Sequence, residues 1–270
     1  MSTLVFSSKK NVIEHLQGRI HHVETQKRND DGSVISSGSA DIDRLLPANG
    51  YNRGTIIEWQ STGGSCADFF SLMAARNATR DGGAMVIIDH ANQFYPPAAR
   101  ALGIQLGNLI VLRGQEKLHQ EDFFWSIDQS LRCNAVAAVW GALPNFKDPS
   151  TETRWLRRFQ LSAETSGCCG MFIRSSRKTT PSSWSEIQWS LRPLRNISHT
   201  GDTRLVRATL VRCRGSHAGS SIDLEVNNVT GNVRQARREH AQRPNTRPSY
   251  TLPLAAQLAN PKTRRRAARA

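Results

Sequence analysis

The chain has 270 residues, 38% of them hydrophobic, and carries a net charge of +14 at pH 7. This length suits one large domain or two small ones, and the absence of any run of about 18 apolar residues excludes a membrane-spanning helix. Charged residues soon follow the short apolar stretch at the N-terminus, so the sequence predicts no secretory signal and a cytoplasmic location. The five cysteines are odd in number and lack a C-x-x-C pair, which fits neither a disulfide framework nor a zinc site.

Basic residues are concentrated at the C-terminal end. Residues 231–270 contain ten Lys and Arg against a single acid, Glu239, and the hydrophobic periodicity fades there. We therefore expect a flexible basic tail over residues 232–270. Such a tail is typical of a segment that binds DNA or another polyanion, and the alternative is a solvated tail that only aids solubility. The arginines predicted to contact a partner or DNA are Arg264, Arg265, Arg266 and Arg269.

The hydrophobic pattern predicts an amphipathic helix over residues 10–24, followed by a turn-rich linker that ends near residue 35. From residue 36 strands and helices alternate. The predicted strands cover residues 55–59, 84–89, 109–113, 135–140 and 168–174, and the predicted helices cover residues 69–80, 98–104, 119–133 and 151–167.

Most of these strands are apolar on both faces and are separated by helices, which is typical of a parallel sheet covered on both sides. The pattern changes after residue 183. Residues 203–213 and 221–227 alternate between apolar and polar side chains and predict antiparallel strands at one edge of the sheet. The predicted fold is therefore α/β, with an N-terminal helix and linker over 1–35, a core over 36–231 and the tail over 232–270.

The order and spacing of these segments resemble the RecA superfamily over roughly residues 36–230. In that family a T/S-G-x-x-x-L-D-x-x-L stretch and a G-x-I/L-x-E-I strand lead into the phosphate loop. The matching residues here are Ser37, Gly38, Ile42, Asp43, Leu46, Gly54, Ile57 and Glu58. A second match, to the family's next strand and the L-G-I/V-x-x-x-N-L connection, comprises Asp89, Leu102, Gly103, Ile104, Asn108 and Leu109. The resemblance implies a RecA-like core.

The chain departs from this family where ATP would be bound. A phosphate loop needs a Lys for the terminal phosphates and a Ser or Thr hydroxyl for magnesium, and here Ala67 and Asp68 stand at those positions. Trp140 replaces the acid of the magnesium-side strand, Ala91 the general-base Glu, and Ser175 the nucleotide-sensing Gln. The resemblance thus implies a protein without catalytic residues, cofactor or metal. Its degenerate loop comprises Ser61, Gly63, Gly64, Ser65, Cys66, Ala67 and Asp68.

One branch with this pattern is the ImuA family of accessory proteins for bacterial translesion synthesis. The chain resembles it in the small loop and in an R-x-x-R-R-x-Q-L-A-A-E-x-x-G helix, here residues 154–167, which is followed by residues 172–177. The resemblance implies DNA-damage mutagenesis in the SOS response. The implied partners are an inactive Y-family polymerase homologue (ImuB-like), an error-prone DnaE-type polymerase and, as a further candidate, RecA.

Two alternatives stay open. SulA-like cell-division inhibitors share part of this pattern. A nucleotide-regulated, DNA-binding ATPase of the RecA type is the other alternative, because the backbone amides of Gly63, Gly64 and Ser65 could still hold phosphate.

A second group of basic residues lies in the core. Arg154 and Arg158 are four residues apart and share a helix face, so with Arg157 they are candidates for binding DNA phosphates or an acidic partner. Arg174 and Arg177 follow and are assigned to the same surface. The alternative is a solvated helix face. For Asp89 and Glu58 a structural role at a strand end is favoured over acid–base chemistry.

Overall fold

The structure, a computed structural model, describes residues 34–113, 120–144, 146, 148–175, 185–194, 202–215 and 218–236. These residues belong to a unit that ends at Ala236. The helix predicted over residues 10–24, Arg177 and the four tail arginines Arg264, Arg265, Arg266 and Arg269 lie outside the described residues.

Nine strands and five α-helices follow one another along the described chain. The strands are β1 Ile56–Ser61, β2 Ala84–Asp89, β3 Leu109–Arg113, β4 Val136–Ala142, β5 Cys169–Ser175, β6 Ile187–Pro193, β7 Thr203–Cys213, β8 Ser221–Asn227 and β9 Val233–Gln235. The helices are α1 Ala40–Asp43, α2 Ala67–Ala78, α3 Pro96–Ala101, α4 Gln120–Arg132 and α5 Pro149–Ser166, and a 3-10 turn covers Leu106–Asn108.

The strands form one mixed sheet in the order β3-β2-β4-β5-β1-β6-β7-β8-β9. All pairings from β3 to β6 are parallel, and β6, β7, β8 and β9 pair antiparallel. The predicted α/β class, with a mostly parallel sheet and antiparallel strands near the C-terminal end, is confirmed.

Each face of the sheet carries its own apolar core, because side chains of a strand alternate between the two faces. On one face, Ile57 and Trp59 of β1 belong to a cluster with Phe70 of α2. On the other face, Ile56 belongs to a cluster with residues of α4 and α5 such as Phe124 and Phe159. The helices thus cover both faces of the parallel part. In the described residues no helix is long and apolar enough to cross a membrane.

Several boundaries differ from the predicted ones for local reasons. Helix α3 begins at Pro96 and not at the predicted residue 98, because a proline in the first turn of a helix needs no hydrogen-bond donor there. Strand β4 continues two residues beyond Trp140 because it stays paired with β5 as far as Ala142. The last strand, β9, lies beyond residue 231, the predicted end of the core.

Candidate functional site

The degenerate phosphate loop connects the end of β1 to the start of α2. Ser61 and Ser65 close it with a hydroxyl–hydroxyl hydrogen bond of 2.8 Å, and the Ser65 amide donates to the Thr62 carbonyl at 3.1 Å. Gly63 and Gly64 are exposed. Cys66 has a φ of 57°, a left-handed conformation that a non-glycine residue seldom adopts. The backbone therefore keeps the shape of a tight strand-to-helix loop although its side chains have changed.

The first two residues of α2 supply neither a cation nor a hydroxyl. Ala67 is 2% exposed and packs into the apolar core. Asp68 is exposed in the first helical turn, where its carboxylate is favourable to the helix dipole. The same carboxylate would repel a phosphate placed at the helix N-terminus, since like charges at close range raise the free energy.

Trp140 fills the space between the end of β4 and helix α2. Its indole N–H donates to the Ser71 hydroxyl at 2.9 Å, and that hydroxyl donates in turn to the Ala67 carbonyl at 2.7 Å. The Trp140 ring also packs against Phe94, with 5.9 Å between ring centroids. A large ring, hydrogen-bonded to the helix that follows the loop, thus stands where the RecA superfamily pattern has the acidic residue next to magnesium.

The carboxylate at the end of β2 accepts hydrogen bonds from the loop that follows the strand. Asp89 accepts hydrogen bonds from the Gln93 amide at 2.8 Å and the Phe94 amide at 3.1 Å, and it lies 3.5 Å from the Arg113 guanidinium. Ala91 is exposed in the turn that Asp89 organises. The interactions of Asp89 are those of a residue that caps a strand end.

A magnesium-bound nucleotide does not fit the side chains around this loop. Ala67 supplies no cation and Asp68 no hydroxyl, and the position of Trp140 supplies an indole instead of a carboxylate. Arg204 of β7 places a guanidinium beside the loop. Burial raises the pKa of the Cys66 thiol, and the adjacent Arg204 opposes that rise. Sequence reasoning missed Arg204 because nothing in its local pattern indicates which loop it reaches.

Arg174 lies inside the fold and not on the predicted basic surface. Its guanidinium pairs with Glu152 of α5 and lies 3.5 Å from Glu58 of β1, and its side chain is only 11% exposed. Gln188 of β6 donates to the same Glu58 at 3.0 Å. The guanidinium also stands 5.9 Å from the Phe146 ring. Because its charge is used by two buried carboxylates, Arg174 is a structural residue, and Glu58 lies within β1 rather than at its end.

The other core arginines lie on the outer side of α4 and α5. Asp128 of α4 is completely buried and accepts from Arg158 at 2.8 Å, from Arg132 at 3.0 Å and from the Ser162 hydroxyl at 2.8 Å. Arg158 also stands over the Trp155 ring at 5.2 Å. A groove of about 500 Å³ lies here, and we call it the α4–α5 groove; it is lined by Arg132, Arg154, Arg157, Arg158, Leu161, Ser162 and Thr165.

Comparison with known proteins finds RecA relatives. The RecA N-terminal domain matches residues 8–131. Protein RecA of Limosilactobacillus reuteri (strain DSM 20016) is 35% identical over 91 residues, which are 33% of this chain and 25% of that protein. Protein RecA of Lactococcus lactis subsp. cremoris (strain MG1363) is 35% identical over 79 residues, 29% of this chain and 20% of that protein. Protein RecA of Acholeplasma laidlawii is 38% identical over 78 residues, covering 29% and 24%.

The chain therefore spans a quarter or less of the length of these curated relatives. The matched residues include β1, the strand-to-helix loop, α2, β2, α3 and β3. This chain is a RecA-like α/β protein.

Proposed function

We propose that this chain is a cytoplasmic, non-hydrolysing RecA-like accessory protein of error-prone translesion synthesis, which docks polymerase partners. The observation that carries the proposal is Trp140. Its indole is buried, hydrogen-bonded to Ser71 of α2 and packed on Phe94, so a carboxylate and a metal ion cannot share that space without rearrangement. Ala67 and Asp68, at the N-terminus of α2, support the same conclusion.

A protein that keeps the RecA-like scaffold without its nucleotide chemistry retains a surface for binding. The α4–α5 groove brings four arginines together on a rigid pair of helices, and this supports docking as the activity of the core. The translesion role, with an inactive Y-family polymerase homologue and a DnaE-type polymerase as partners, is inferred from the resemblance to ImuA proteins.

Nucleotide binding is the first part of the proposal to test. Calorimetry with ATP and magnesium, run beside a phosphate-release assay, is expected to give neither binding heat nor release by the purified full chain. A RecA protein is the positive control. Magnesium-dependent release that disappears in a Gly64→Val variant would overturn the proposal in favour of a nucleotide-regulated ATPase.

The cellular role needs a separate test. Deleting the gene is expected to lower the frequency of DNA-damage-induced mutation, and a Trp140→Phe allele, which keeps an aromatic ring, is expected to restore it. Filamentous cells on expression, with no change in mutation frequency, would contradict the translesion role and support a SulA-like division inhibitor.

A further inference from the structure

The α4–α5 groove combines positive charge with an exposed apolar centre. Arg154, Arg158, Leu161 and Thr165 follow one another at spacings of four, three and four residues, so they share one face of α5. Leu161 is 51% exposed and lines the groove together with the arginines.

Two of the arginines are held in place by the protein itself. Arg158 and Arg132 share the buried carboxylate of Asp128, and their side chains remain 45% and 53% exposed. Trp155, on which Arg158 stands, packs in turn against Phe124 of α4 at 5.6 Å. These side chains are therefore partly ordered in the free protein, so a ligand that binds to them loses less conformational entropy.

The charge of the groove is only partly balanced. The Asp128 carboxylate is already shared by two of the groove's arginines, Arg132 and Arg158. Arg154 is exposed, and within the described part of the chain no carboxylate pairs with it. The groove thus presents positive charge at its rim and an apolar leucine at its centre.

We propose that the α4–α5 groove binds an acidic amphipathic segment of a partner protein, with a carboxylate on Arg154 and an apolar side chain on Leu161. Carboxylates match the planar fork of arginine, and an apolar core ringed by arginine is typical of protein interfaces. A volume of about 500 Å³ suits a few side chains. The phosphates of DNA gain nothing from covering Leu161, so a protein partner that carries both carboxylates and apolar side chains fits the groove better.

This inference rests on the docking part of the proposed function and names the chemistry of the partner. The probes are fluorescein-labelled helical peptides of Glu, Leu and Ala in which the leucine spacing varies, added to the full chain. At least one is expected to bind saturably. Arg154→Glu and Leu161→Glu are each expected to weaken that binding by about tenfold or more, because the first sets a carboxylate against those of the peptide and the second places a charge against its apolar side chain.

The matched control is Arg100→Glu, which makes the same change of charge on an exposed residue of α3. It is expected to change the affinity by less than about twofold, since exposed charges far from the site are screened by salt. Circular dichroism and thermal unfolding of each variant establish that it folds.

Three outcomes would overturn the inference. The first is that no acidic peptide binds saturably, and the second is that Arg100→Glu weakens binding as much as Arg154→Glu does. The third is that oligothymidylate displaces the peptide and depends on Arg154 but not on Leu161, which would make the groove a nucleic-acid site. These outcomes leave the nucleotide proposal intact, whereas ATP turnover beside normal peptide binding would overturn that proposal and spare the groove.

Discussion

Trp140 links the sheet to the helix that follows the degenerate loop. The indole N–H is buried and donates a hydrogen bond to Ser71. Replacing Trp140 by Phe therefore removes that hydrogen bond and leaves a smaller ring in the core. We expect Trp140→Phe to lower the free energy of unfolding by about 1–3 kcal/mol. Urea denaturation measures the change, with Trp125→Phe as the control because Trp125 is 57% exposed. Equal effects of the two substitutions would mean that Trp140 is not anchored as described.

Arg174 neutralises the charge of two buried carboxylates. Glu58 and Glu152 are 0% and 1% exposed. Replacing the arginine by Met keeps the apolar stem but leaves both acids near each other, and we expect a loss of about 3–5 kcal/mol in the free energy of unfolding. Urea denaturation again provides the measurement.

Two further variants test the cause of that loss. Adding Glu58→Gln and Glu152→Gln to Arg174→Met is expected to recover part of the stability, because the negative charges that Arg174 offsets are removed. Arg100→Met, on the exposed face of α3, should change stability little. A decrease of less than about 1 kcal/mol in the free energy of unfolding for Arg174→Met would show that these ion pairs contribute no more than surface ion pairs do.

At the scale of single elements, helix α5 begins at an N-cap that titrates. The Ser150 hydroxyl, and after it the Thr151 amide, hydrogen-bond to the Asp148 carboxylate and lower its pKa from 3.8 to about 2. A carboxyl with a depressed pKa in the folded state stabilises above its unfolded pKa and loses that contribution as the pH falls. The stability of the wild type relative to Asp148→Asn is therefore expected to decrease between about pH 4 and pH 2.

Thermal unfolding of both proteins across that pH range gives the comparison. Asn keeps a capping oxygen but does not titrate, so it isolates the charge. A difference in melting temperature that does not change with pH would contradict the role of the Asp148 carboxylate.

The turn that leads into β1 depends on Gly54. It has a φ of 73°, and a Cβ added there would lie 3.0 Å from the Ala163 carbonyl in the last turn of α5. We expect Gly54→Ala to reduce the free energy of unfolding by about 2–4 kcal/mol, since strain and a clash add together. Gly64→Ala is the matched control, because Gly64 has a φ of 77° with nothing within 4 Å of the added carbon. Similar losses would show that the contact with α5 is unimportant.

At the scale of the whole molecule, β9 closes the described sheet beyond residue 231. It pairs with β8, and the Gln235 amide donates to Asp41 of α1 at 2.9 Å. A chain ending at residue 231 is therefore expected to melt about 2–6 °C below one ending at residue 236, because it loses these pairings. Differential scanning calorimetry of the two chains decides this, and equal melting temperatures would mean that β9 adds no stability.

The sequence alone predicted most of the elements, because their signals are local. Strands β2, β3, β7 and β8 have the predicted bounds, since their apolar runs or alternation are bordered by turn residues such as Gly82 and Gly83. Strands with apolar residues on both faces, followed by strands that alternate, also predicted the α/β class and the presence of antiparallel strands at one edge of the sheet. Helix ends shifted by one to a few residues, because capping groups and prolines decide where a helix begins.

The sequence also determined which residue types are missing from the loop, since Ala67 and Asp68 can be read directly from it. Only the tertiary structure decided what Trp140 does there, because its partner Ser71 lies on another element. The tertiary structure likewise shows that Arg174 does not lie on the predicted basic surface, because it pairs with Glu58 and Glu152. Side-chain contacts between distant segments depend on how the sheet and helices pack, and no periodicity along the chain encodes that packing.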